Sequence, residues 1–143
     1  METLDVEQKH WNKDLLYLFN KEEILGMYVA LERYINQDHE KEWKTWESRV
    51  AVINNAVKNI NGVTTKEYVP IIANATPTLD ISWDTDKIKI SGSDLSAALS
   101  KGSPSIEASG GKNSLTVAPW MMTSGQERIV ASRIKEELIK ASA

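Results

Sequence analysis

Between Asn20 and Ile60 the chain carries an apolar rhythm that two helices in tandem satisfy. Asn20 is an N-cap residue, and Glu23 stands three residues on, where its carboxylate can reach back to the cap N–H. Behind that pair Ile24, Met27, Tyr28, Leu31 and Ile35 fall on one helical face. Asp38 interrupts the run and is placed to cap a second helix. There Trp43, Trp46, Val50, Ile53, Val57 and Ile60 recur at spacings of three and four, one continuous stripe. Asn61-Gly62 then supplies a left-handed stop. A stripe this long needs an apolar surface to cover it, and the rest of the chain must furnish that surface.

The following segments read as strands and turns. Val63 to Val69 is rich in Thr, Tyr and Val and ends at Pro70, a strand signature. Ile71 to Pro77 is a link. Leu79, Ile81 and Trp83 alternate with Asp80, Ser82 and Asp84, as in an antiparallel strand with one face buried. Ile88 and Ile90 repeat the alternation briefly across Thr85-Asp86, as a turn or a short edge strand. Ser91 pairs with Asp94 to open a short helix through Leu95, Ala98 and Leu99 that ends at Lys101-Gly102. Ser105 to Ser109 and Ser114 to Ala118 flank Gly110-Gly111-Lys112-Asn113 as the two strands of a hairpin. Pro119 ends the second strand, and Trp120-Met121-Met122 follow as an apolar lid. Ser124 with Glu127 caps a last helix whose Val130, Ala131, Ile134, Leu138 and Ala141 face inward.

Every strand-to-strand link is short, which predicts an α+β fold. In it a mainly antiparallel sheet of three or four strands is covered on one face by helices and preceded by the long two-part helix. Helix-strand-strand occurs twice in topology, without sequence repetition. Residues 1–19 read as a lead-in arm and residues 20–143 as the α+β domain. In the arm Leu4, Gln8, Trp11, Leu15 and Leu18 sit at heptad spacing, and Leu15 to Phe19 is apolar on every side.

Composition limits the function classes. With 143 residues, 41% hydrophobic and 26% charged, the chain has the profile of one globular domain rather than a disordered one. A net charge of −3 offers no electrostatic case for nucleic acid or an anionic membrane, and neither partner is expected. The absence of cysteine excludes disulfides and thiolate metal sites and fits a cytoplasmic protein. No apolar run approaches the ~18 residues of a membrane span. Glu2, Asp5 and Glu7 make the N-terminus unlike a positively charged signal peptide.

The residues capable of chemistry do not assemble into a site. His10 lies on the arm and His39 between Asp38 and Glu40, without further ligands at metal-binding spacing. Trp43, Trp46 and Trp83 belong to buried stripes, whereas Trp11 and Trp120 flank irregular segments and suit a surface that meets another domain. Glu40, Lys41, Glu42, Lys44, Glu47 and Arg49 read as a solvated helix face. Ser109-Gly110-Gly111-Lys112 resembles a phosphate or Schiff-base motif. A phosphate loop must open a helix, however, and a Schiff-base lysine must be desolvated, so a wet hairpin turn fits better. The expectation is no catalytic, no cofactor-binding and no metal-binding residue in this chain.

Lys21-Glu22-Glu23-Ile24, Ala30-Leu31-Glu32-Arg33-Tyr34, Asp38-His39-Glu40 and Glu42-Trp43 resemble the bacterial selenocysteine-synthase-like family. These are pyridoxal-phosphate proteins of the aspartate-aminotransferase fold, among them L-seryl-tRNA(Sec) selenium transferase and D-glucosaminate-6-phosphate ammonia-lyase. The likeness continues through Val69-Pro70, Ala73-Asn74, Leu79 to Asp84, Gly102 to Glu107 and Leu115 to Met122, and Met1 to Asn12 resembles the segment after the cofactor lysine. In that family the large domain, with the lysine that binds pyridoxal phosphate and the aspartate on its ring nitrogen, lies upstream of the part matched here.

The resemblance therefore implies a C-terminal small domain of a lyase or transferase, as an expressed fragment or truncated product. Such a domain is inactive alone, with pyridoxal phosphate expected in the full-length relative and no cofactor in this chain. Two departures stand out. Lys13 to Phe19 replaces a His-Gly-Ile-Gly-Arg-like stretch, and no arginine for a substrate carboxylate lies between Gly102 and Trp120. An alternative from another class is a free-standing α+β ligand-binding or regulatory module acting as a dimer. Either way a homo-oligomer is expected, paired through Leu15 to Phe19 and the Met27-Tyr28 side of the first helix.

Overall fold

The computed structural model describes residues 20–72 and 74–142. The chain divides into two units, Met1–His39 and Glu40–Ala143. The expected arm over residues 1–19 lies outside the described residues.

In the first unit α1 spans Lys21–Asn36. Its start is the predicted one: the Asn20 N–H donates to Glu23 Oε2 at 2.9 Å. Glu22 and Glu23 in the first turn and Arg33 in the last complement the helix dipole. The helix stops where the Gln37 backbone becomes extended, and the chain folds back so that His39 Nε2 lies 2.8 Å from the Tyr34 carbonyl oxygen. Every residue of α1 is exposed, and the stripe of Ile24, Met27, Tyr28, Leu31 and Ile35 is 55–71% open.

α2, His39–Val57, starts one residue after Asp38 and continues into the second unit. Val50, Ile53 and Val57 are buried, and Trp43, Trp46 and Ile60 half-buried, as the stripe requires. On the solvated side Lys44 pairs with Glu40 at 2.6 Å. Arg49 departs from that side. It is half-buried, and its guanidinium reaches the Pro119 carbonyl at 3.4 Å. Gly62, at φ +89°, makes the turn out of the helix.

Four antiparallel strands follow: β1 (Val63–Tyr68), β2 (Thr78–Trp83), β3 (Ser109–Gly110) and β4 (Ser114–Val117), ordered β1-β2-β4-β3. The fold is the predicted α+β. Ile81 faces Thr65 on one neighbour and Leu115 on the other, so the inward rows of three strands coincide. Leu79, Ile81, Trp83, Leu115 and Val117 join the buried residues of the helices in a single core. The opposite face is polar: Thr116 donates to Asp80 at 2.9 Å and Ser82 to the Thr64 carbonyl at 3.3 Å.

Between β2 and β3 lies α3 (Gly92–Ser100), capped as expected by Ser91, whose oxygen accepts the Asp94 N–H at 3.1 Å. α4 (Gln126–Lys140) closes the chain and buries Val130, Ala131, Ile134 and Leu138. Ile88 does not begin a strand; it bridges singly to Ser142. No described helix is long and apolar enough to cross a membrane.

Two expected boundaries shift. The first hairpin strand is only Ser109–Gly110, not Ser105 to Ser109. Its upstream half is held by α3 instead, with the Ile106 N–H donating to the Leu99 carbonyl at 3.1 Å and Ser96 to the Ala108 carbonyl at 2.6 Å. The cap of α4 is Gly125 at φ +92°, not Ser124. Gln126 and Glu127 reach backward and take the Thr123 and Gly125 N–H groups, both at 2.9 Å, so no serine is needed.

The glycines of the hairpin have a packing reason. A Cβ on Gly110 would overlap the Gly92 carbonyl at the start of α3, and one on Gly92 would overlap the Ser114 and Gly111 carbonyls. These are backbone atoms, with no rotamer to swing away. Gly92→Ala and Gly110→Ala are each expected to destabilise by roughly 1–3 kcal/mol or more through overpacking. Gly26→Ala, in open space on α1, should instead gain about 0.5–1 kcal/mol of helix propensity. Urea midpoints of the three variants check both signs.

Candidate functional site: a groove beside the Pro119 turn

The shortened β3 opens a gap. β3 and β4 are paired at Ser109 with Thr116 and Gly110 with Leu115. Upstream of them the chain is drawn toward α3, where Glu107 Oε1 also accepts the Ser100 hydroxyl at 2.6 Å. On the other side β4 ends at Val117, and Pro119–Met121 form a 3₁₀ turn that leaves Met121 74% and Trp120 38% exposed. The space between holds two adjoining cavities of about 390 and 270 Å3. Both are lined by Ile106, Glu107, Ala118, Met122 and Val130. Ile106 and Val130 are buried, Trp120 and Ile129 line the outer cavity, and among the described residues Glu107 is the one charged residue in either lining.

The residues singled out by sequence fall elsewhere, with one exception. Trp120 lines the groove together with Met121 and Met122 of the expected lid. Trp83 is core, its Nε1 donating to the Ile90 carbonyl at 2.9 Å, and Trp43 donates to Glu47 at 2.9 Å while lying edge-on to Trp46. His39 lies tilted against Tyr34, with ring centres 4.5 Å apart and ring planes at 51°. Among the described residues no three His, Cys, Asp or Glu side chains are placed to hold a metal. His10 and Trp11 lie outside the described residues. Glu107 was not legible as a site residue because an alternating strand was expected there. Ser103-Pro104 just upstream was the available sign that the strand begins late.

The described residues do not fit covalent pyridoxal phosphate. An internal aldimine needs a lysine whose ammonium is desolvated. Every described lysine is exposed, Lys112 included, and none lines the groove. Of the two glycines before Lys112, Gly110 is required by the contact with α3, and a Cβ on Gly111 would meet the Ser114 side chain.

The resolved electrostatic shifts lie on α4. Glu136 is held below its ordinary value of 4.5, first by the hydrogen bond from Lys140 and further by Arg133. Lys140 is raised above 10.5 by hydrogen bonds to Glu136 and Glu137.

No family model matches the chain, and no curated protein matches it. Among solved structures, one described as that of D-glucosaminate-6-phosphate ammonia-lyase matches with a TM-score of 0.66, covering 86% of this chain at 18% identity. At that identity the likeness is one of fold. The chain spans 33% of the length of that protein.

The α4 network sets the sign of a pH effect. A lowered carboxylate stabilises above its unfolded value and loses that contribution as pH falls through its folded value. A raised amine stabilises below its unfolded value and loses that contribution as pH rises through its folded one. Glu136→Gln should therefore lower the urea midpoint slightly at neutral pH and leave it level with the parent at strongly acid pH. Molar salt should erase most of the difference, since both groups are exposed to solvent.

Proposed function

We propose that this chain is the small domain of a pyridoxal-phosphate-dependent lyase or transferase related to selenocysteine synthase. The cofactor lysine of such an enzyme would come from a domain outside the described residues. The observation that carries this reading is the fold likeness to D-glucosaminate-6-phosphate ammonia-lyase over 86% of the chain. It agrees with the sequence resemblance.

The exposed stripe of α1 supports the same reading. Five apolar side chains left 55–71% open on one helical face are a surface made to be covered. A lysine-bearing domain would cover it in a full-length enzyme. In the isolated chain a second copy takes its place, so the protein self-associates through Met27 and Tyr28. The competing reading, a free-standing ligand-binding module, is favoured by the groove alone.

Added pyridoxal phosphate is expected to give no internal-aldimine absorption band and no borohydride-reducible adduct. A stoichiometric adduct would refute the placement of the cofactor lysine in another domain. Light scattering should give a dimer or larger species, reduced to monomer by Met27→Glu. A strict monomer at high concentration counts against the role given to α1.

A further inference from the structure

We propose that the groove between Ile106 and Trp120 is a binding site for an amphipathic organic cation, an ammonium group carried on an aromatic or alkyl body. Four observations lead there, none of them dependent on the cofactor reading. The outer cavity, about 390 Å3, has the size of a small-molecule pocket. Its floor is apolar and already dry at Ile106 and Val130, so an apolar body gains there without rearrangement. Among the described residues its single charge is Glu107, and no described basic side chain stands in either lining to neutralise it. Arg49, whose guanidinium reaches the Pro119 carbonyl of the adjacent turn, does not line the groove.

The fourth observation is the fixing of the carboxylate. The Ser100 hydroxyl donates to Glu107 Oε1 at 2.6 Å, which orients this exposed carboxylate at the mouth of the groove it lines. Trp120, on a 3₁₀ turn that begins with a proline, adds an indole face of the kind that attracts ammonium ions. Met121 and Met122 supply unbranched thioether side chains that adapt to the shape of the guest. A neutral ligand of the same body would lose the carboxylate contact, and an anionic one would meet repulsion from it.

The test is a two-dimensional NMR titration of the full chain with 3-phenylpropylammonium, 3-phenylpropanol and 3-phenylpropionate. The ammonium ion should cause saturable shifts at the Trp120 indole N–H and the Ile106 and Met122 methyls. It should bind about tenfold more tightly than the alcohol, the difference expected of a charged hydrogen bond. Glu107→Gln should remove that preference while leaving the spectrum of the core unchanged, and Trp120→Ala should weaken all three probes. Equal binding of the three probes, an ammonium affinity unaltered by Glu107→Gln, or no shift at the groove up to the solubility limit would each overturn the proposal.

Discussion

The inner strand β2 carries the constraint from which the second unit follows. It is hydrogen-bonded to β1 on one side and β4 on the other, and its Leu79, Ile81 and Trp83 are almost completely buried. Alternation has a period of two, so a slip of one residue would drive Asp80 and Ser82 into the core. That cost fixes the register of both neighbours. It also fixes which side α2, α3 and α4 must cover, because their buried residues share one cluster with the inward side chains of β2. The polar face keeps its own order through the Thr116 and Ser82 hydroxyl bonds.

What could be read from sequence was what local chemistry decides. The stripe of α2, the alternation of β2, the Ser91 cap and the left-handed Gly62 each depend on residues within a few positions. The order of elements and the antiparallel sheet followed from them. Where tertiary bonds chose between equals, the reading went astray. Ile106 had the pattern of a strand residue, yet its N–H found the Leu99 carbonyl at the end of α3. Arg49 had the pattern of a solvated residue, yet its guanidinium found Pro119. Ser124 was a good cap that Gln126 and Glu127 made unnecessary.

The candidate site was legible to the same degree. Trp120 stood out because it belongs to no stripe, and it does line the groove. Glu107 did not stand out, because a carboxylate on a short strand is ordinary until the neighbouring strand peels away. The turn expected over Gly110 to Asn113 begins after Gly110, which belongs to β3, and the requirement for Gly110 comes from Gly92, eighteen positions earlier, where no local rule would show it. Fold and chemistry therefore separate in this chain. The architecture is shared with part of a larger enzyme, while the described side chains offer a carboxylate and an indole rather than a buried amine.

The two rims of the sheet are finished by different means. At β3, only two residues long, the backbone of α3 lies directly against Gly110, and a strand so short offers little edge to an incoming chain. At β1 the six residues Val63–Tyr68 have a hydrogen-bonded neighbour on one side only, and the chain runs on into Ile71 and Ile72, 99% and 84% exposed. Lys66 and Glu67 in the strand and Pro70 after it are the kinds of residue that discourage an incoming chain. One margin is thus protected by its brevity and the other by charge and a missing donor. High salt, which screens charge, would unguard the β1 side first and make it the place where amyloid-like stacking starts.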